Sequence, residues 1–164
     1  MLTTGIRIPV LINCIFVYNA DETADVRHLK FKLKNMKADI KDLSDIIVFV
    51  DEFYIKVKDD DVLGPVFNNV IQDWGPHLDK MYKFWNAALF GVPGFKGNPF
   101  ARHAPLPIGA DHFNRWLDLF KSTIDEHFEG PIALDAKNRA KLMAAMFLSR
   151  LQNMRGSSSD RVIV

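Results

Sequence analysis

The chain has 164 residues, 48% of them hydrophobic and 12% aromatic, with 21 Lys/Arg against 20 Asp/Glu for a formal net charge of +1. That length and apolar content suit one domain with a sizeable core, and near-neutrality without a basic stripe argues against a nucleic-acid partner. The single cysteine, Cys14, excludes an intrachain disulfide framework and fits a reducing, cytoplasmic setting.

Residues 1–35 read differently from the rest. They carry five Lys/Arg and three Asp/Glu, whereas 36–164 carry 16 and 17. The apolar run Ile8 to Tyr18 is shorter than the roughly 20 residues of a membrane helix, so no membrane partner is expected. Tyr18-Asn19-Ala20 places a bulky side chain where a signal-peptide cleavage site wants a small one. The segment is read as an atypical N-terminal extension, a short strand, a disordered arm or an over-long gene model, because Met36 opens fresh helix-compatible sequence. The domain then spans 36–154, and 155–164, with Gly156 and three serines, reads as a polar tail.

From Asp39 the pattern turns helical: Leu43, Ile46, Ile47, Val50, Phe53, Tyr54 and Val57 share one face, with Asp39 or Ser44 as the cap. Asp59-Asp60-Asp61 and Gly64-Pro65 end it, and the acidic run reads as a solvated terminus. A second helix is predicted from Asp73 or Pro76 to Phe90, with Trp74, His77, Met81, Phe84 and Trp85 on one side. Gly91 to Asn98 reads as a loop and Phe100 to His103 as a turn or a single helical turn. A third helix runs from about Gly109 to Phe128, carrying Phe113, Trp116, Leu117, Phe120 and Ile124. A fourth runs from Ile132 to Gln152, with Leu134, Leu142, Met143, Met146, Phe147 and Leu151 inward. The fold class is all-α.

His103 is the residue that singles itself out. A lone histidine beside apolar sequence is usually structural, but this one follows a glycine-rich loop that lets backbone approach a cofactor and precedes Pro105 and Pro107, which stiffen it. Neutral imidazole is the common proximal ligand of haem iron. Zinc is the poorer explanation, since no Cys/His cluster or His-Glu-x-x-His pattern supplies further ligands. Tyr54, His77 and Trp116 each sit on an inward face; singly they read as core residues, but together they offer hydroxyl, imidazole and indole donors. No Gly-x-Ser-x-Gly elbow, phosphate loop or dinucleotide fingerprint occurs.

Several linked stretches resemble the group III (P-type) truncated haemoglobins among the bacterial-like globins. They are Phe53-Tyr54-Ile55-Lys56-Val57, Leu63 to Asn68, Asp73-Trp74 with His77, Tyr82 to Trp85, Gly97-Asn98-Pro99 leading to His103, His112 to Phe120, and Arg139-Ala140. The likeness covers about residues 36 to 152. It implies a two-over-two helical sandwich holding haem b, with His103 as the proximal iron ligand and Phe67 packed on the haem face. Tyr54, His77 and Trp116 resemble the distal polar set, and Met81 helps wall the pocket. Arg102 and Arg115 are the candidate propionate partners.

The resemblance implies a protein that binds dioxygen and related diatomic ligands at haem iron. The alternative is a haem redox enzyme, a nitric-oxide dioxygenase or peroxidase-like catalyst, in which dense distal donors slow ligand release. An unidentified reductase is the partner such chemistry needs. A monomer or weak dimer is expected.

Overall fold

The computed structural model describes residues 26–27 and 37–159. Apart from Val26 and Arg27, the expected extension over 1–35 lies outside the described residues, as do 160–164 of the expected tail. The chain divides into two compact units, Met1–Met36 and Lys37–Val164. Val26 and Arg27 of the first unit are helical.

The described part of the second unit holds six helices and no strand: α1 (Leu43–Asp59), α2 (Gly64–Val70), α3 (Trp74–Phe90), α4 (Pro99–His103), α5 (Ala110–His127) and α6 (Pro131–Ser159). Helix α1 packs on α2, α3 and α5, while α6 packs on α5 and reaches α3. The long helices thus form two crossing pairs, α1 with α3 and α5 with α6, which is a two-over-two sandwich. Among the described residues, no helix is long and apolar enough to cross a membrane.

Helix α1 starts where Asp42 accepts hydrogen bonds from the backbone N–H groups of Ser44 (2.8 Å) and Asp45 (3.4 Å), a cap that satisfies otherwise orphaned donors. Neither of the expected caps, Asp39 or Ser44, fills that position. Asp39 instead accepts from the N–H groups of Ile132 (2.9 Å) and Ala133 (2.8 Å), and so caps α6 from across the sequence. Gly130, at φ 155°, makes room for it: a Cβ there would lie 2.4 Å from the Asp39 Cγ. Burial works against the charge on Asp39, but the donations from Ile132, Ala133 and Ile40 outweigh it and hold the carboxyl below its ordinary range.

The Gly64-Pro65 pair, expected to break helical structure, opens α2 with proline in the first turn, where its missing N–H costs nothing. Glycine is needed at 64, because a Cβ would lie 2.7 Å from the Lys58 carbonyl oxygen. The acidic run before it is not wholly solvated. Asp60 is buried, accepts from the N–H groups of Val62 (3.0 Å) and Leu63 (2.9 Å), and pairs with Arg115 at 2.6 Å.

Helix α3 begins at the Asp73 cap and ends at Phe90, as its pattern predicts. Helix α6 buries Phe147 and Leu151 as expected, but the rest of its buried face is Ala133, Ala136, Ala140 and Ala144. Leu134, Leu142 and Met146 are 55%, 71% and 49% exposed. The alanines recur at i, i+3 and i+4 spacing, and small side chains let the helix approach the core closely. The helix also continues past Gln152 into the expected tail. There Arg155 donates from Nη1 to the Ile108 carbonyl and from Nη2 to the Leu106 carbonyl, each at 2.8 Å.

The core is dominated by aromatic rings. Phe49 meets Trp85 and Phe120 edge-on at 5.8 Å each, and Phe53 meets Phe120 edge-on at 5.4 Å. Such pairs add about 0.5–1.5 kcal/mol each beyond the area they bury.

Candidate functional site

Between the two helical pairs lies a cavity of about 710 Å³, within the roughly 300–1,000 Å³ range of small-molecule and cofactor pockets. His103, Phe67, Met81, Tyr54, His77 and Trp116 all line it. Six residues drawn from four helices and a single turn thus share one space.

His103 is delivered by α4, one helical turn capped by Asn98, whose side-chain oxygen accepts from the Ala101 N–H at 3.3 Å. The His103 Nδ1 lies 2.7 Å from the Pro99 carbonyl oxygen. A carbonyl only accepts, so Nδ1 carries the proton and Nε2 of the neutral ring keeps its lone pair. That arrangement also orients the ring, as backbone carbonyls do for metal-ligating histidines. Phe147 of α6 supports it at a ring separation of 5.0 Å.

Tyr54, on α1, is buried at 6% exposure and packed by four rings: Phe53 and His77 at 4.9 Å each, Trp74 at 5.8 Å and Phe67 at 6.0 Å. Burial pushes its phenol pKa up, so the hydroxyl stays protonated and able to donate. Its hydroxyl makes no hydrogen bond among the described residues, nor does the Trp116 indole N–H. His77 stands edge-on to Tyr54 and to Trp74 (5.7 Å). Its Nε2 is buried without a hydrogen-bond partner among the described residues, an omission that calls for a ligand or a function. Burial first, then the charges of Lys80 and His103, lower the His77 pKa to about 4, so the ring is neutral at pH 7.

Of the two arginines considered from sequence, Arg102 lines the cavity and Arg115 does not. The Arg115 guanidinium is committed to Asp60 at 2.6 Å, because that buried carboxylate requires a charged partner. Sequence reasoning missed Lys80, Lys96 and His112, which line the cavity as well. Lys80 was findable, since it stands three residues after His77 and therefore on the same face of α3. Lys96 carried no signal beyond its place in the glycine loop. His112 has a local duty besides: its Nδ1 accepts from the Gly109 N–H at 3.3 Å at the start of α5.

These features fit a haem. One imidazole, oriented through its Nδ1, faces a pocket with aromatic walls, cationic side chains for two carboxylates lie on the same lining, and an unpartnered imidazole and further donors stand on α1, α3 and α5. They do not fit a multidentate metal centre: no group of three or more His, Cys, Asp or Glu able to hold an ion occurs among the described residues.

The bacterial-like globin family matches residues 27–150, beginning ahead of Met36. The group 3 truncated hemoglobin of Campylobacter jejuni is 32% identical over 124 residues, a stretch covering 73% of this chain and 94% of that relative. A crystal structure of group III truncated hemoglobin from Campylobacter jejuni matches with a TM-score of 0.65 at 30% identity, covering 71% of this chain and 95% of that one. With fold, sequence and cavity in agreement, the chain belongs to the bacterial-like globin family, with group III truncated haemoglobins as its relatives, and that membership implies haem binding.

Proposed function

We propose that this globin holds haem b in the cavity and binds dioxygen and related diatomic ligands there. The observation that carries the reading is the His103 ring, fixed by Pro99 in the tautomer that leaves Nε2 free. Haem, when bound, supplies a ferrous iron with one coordination position open to a diatomic ligand. His103 Nε2 serves as the proximal ligand, Phe67 packs on the macrocycle and Met81 walls the pocket. Lys80, Lys96 and Arg102 balance the propionates. Tyr54 and Trp116 donate hydrogen bonds on the opposite side, and His77 lends its unpartnered nitrogen. Converging donors in a dry pocket stabilise the negative charge that dioxygen gains on binding. A reductase that keeps the iron ferrous is the partner this role needs, with a cytoplasmic setting and a monomer or weak dimer as the working state.

The test is reconstitution with hemin. The expected result is an intense Soret band and, after reduction under argon, a ferrous spectrum that shifts on adding carbon monoxide. A chain that folds yet gives no Soret band sinks the proposal.

A second reading, a haem redox enzyme, is favoured by the unsatisfied donors of Tyr54, His77 and Trp116. That many hydrogen bonds to one small ligand slow its release, which suits nitric-oxide dioxygenation or peroxidase-like chemistry better than delivery. Stopped-flow mixing of the oxygenated protein with nitric oxide separates the two, with nitrate as the dioxygenase product. Fast oxygen release without turnover favours a carrier.

A further inference from the structure

Trp116 does not end its own aromatic series. Its indole is nearly parallel to Phe120, at 5.3 Å and 9°. The Phe120 ring is in turn nearly parallel to Trp85, at 4.8 Å and 20°. These are the two stacked pairs among the described residues; other ring contacts are edge-on or tilted. One phenyl ring therefore lies between two cavity-lining indoles, of which Trp85 is 4% exposed. One turn before Trp85 on α3 stands Tyr82, half-buried, with its hydroxyl donating to the Asp51 carboxylate of α1. Residues at i and i+3 on a helix are neighbours.

We propose that this series carries oxidising equivalents out of the haem cavity when hydrogen peroxide reacts there: an electron leaves Tyr82, passes through Trp85 and across Phe120 to Trp116, while the phenolic proton moves to Asp51. The inference rests on the haem reading above and gives the protein a peroxidase-type activity toward donors that never enter the cavity. In each passage Tyr82 becomes a neutral tyrosyl radical and Asp51 a carboxylic acid. A one-electron donor such as ascorbate then returns an electron and a proton to Tyr82, and Asp51 releases its proton to solvent. Over a cycle, hydrogen peroxide takes up two electrons and two protons, its O–O bond breaks, and two waters form; two ascorbates are each oxidised by one electron.

Chemistry favours Tyr82 as the end of the path. A tyrosine gives up an electron readily at neutral pH only if its proton has somewhere to go, and Tyr82 has the Asp51 carboxylate in hydrogen-bond contact. Tyr54 is closer to the cavity, but its hydroxyl has no acceptor among the described residues. Burial, followed by Asp51 and Asp79, pushes the Tyr82 phenol pKa up, so the proton stays on Tyr82 until the electron leaves.

The experiment uses full-length hemin-reconstituted protein treated with hydrogen peroxide, with freeze-quench electron paramagnetic resonance and nitroso spin trapping followed by peptide mapping. The expected result is a tyrosyl signal and a trap adduct on Tyr82. Tyr82→Phe removes both. Trp85→Phe lowers the Tyr82 adduct at least tenfold with the Tyr82–Asp51 pair untouched, and Asp51→Asn leaves the radical on tryptophan. Only variants with the wild-type Soret band and circular dichroism are compared, so misfolding does not mimic the effect. A wild-type adduct confined to Tyr54, or a Tyr82 adduct undiminished in Trp85→Phe, overturns the relay. Absence of the Soret band in the parent protein overturns the haem reading instead.

Discussion

The Nδ1–H of His103 donates to the carbonyl oxygen of Pro99 at 2.7 Å, within a helix of only five residues. Donor and acceptor lie in the same turn, so the tautomer of the ring is set within α4, while Phe147 of α6 packs against its side. His103→Ala is therefore expected to abolish the five-coordinate ferrous spectrum of the hemin-loaded protein. His112→Ala, which removes the acceptor for Gly109, is expected to keep that spectrum and cost about 1 kcal/mol in urea unfolding. Equal loss in both variants contradicts the ligand assignment.

Tyr54→Phe and Trp116→Phe each remove one donor while keeping a ring in place. Hydrogen bonds to charged groups contribute about 1.5–3 kcal/mol. Oxygen dissociation followed by flow mixing is therefore expected to accelerate by about tenfold to a hundredfold per substitution. An unchanged rate in both variants places the ligand elsewhere.

His77 links the site to acid sensitivity. Its folded pKa of about 4 lies below the ordinary 6.5, so the unfolded chain binds a proton that the folded one refuses. Stability of the haem-free protein is expected to decline as pH falls from about 6.5 toward about 4. His77→Phe should flatten that part of the profile. Parallel curves for the two proteins, measured by denaturant unfolding at several pH values, are the contrary result.

Asp39 acts further down the pH scale. Its folded pKa is depressed, so its contribution is complete above the unfolded value near 3.8 and disappears as pH falls through the folded one. Asp39→Ala is expected to cost about 1–2 kcal/mol at pH 7, and progressively less as pH falls and the wild-type carboxyl takes up its proton. A loss independent of pH points to packing against Gly130 instead.

A chain beginning at Met36 retains Ala38, whose carbonyl accepts from the Glu129 N–H at 3.1 Å, and Asp39. It is expected to fold and to bind hemin with the spectrum of the full chain. Insolubility of the shortened protein alone makes the first 35 residues part of the folding unit.

The sequence is most legible where one residue's local chemistry decides the outcome. Asp73 starts α3, the glycine loop ends in the short turn carrying His103, and the inward faces bring Tyr54, His77, Met81 and Trp116 to one cavity. It is less legible where two remote segments meet. Asp39 reads as a local cap because its real partners, Ile132 and Ala133, stand more than ninety residues away. Arg115 reads as a free cation until Asp60 is seen beside it. The buried face of α6 was obscured by hydrophobicity itself: Leu142 is the more apolar residue, but Ala140 fits the close approach to the core. Proline at 65 reads as a stop, though the same ring suits the first turn of a helix.

Arg155 holds the Leu106 and Ile108 carbonyls from a turn beyond residue 150, where the family match ends. Leu106 and Ile108 belong to the connection that follows His103, and Arg155 lies on α6, which leaves the ribosome after that connection. During synthesis, α1 to α5 emerge with that connection still unbraced. The turn that carries His103 thus gains this brace only once α6 has been made, so its local order depends on a helix that follows it in synthesis.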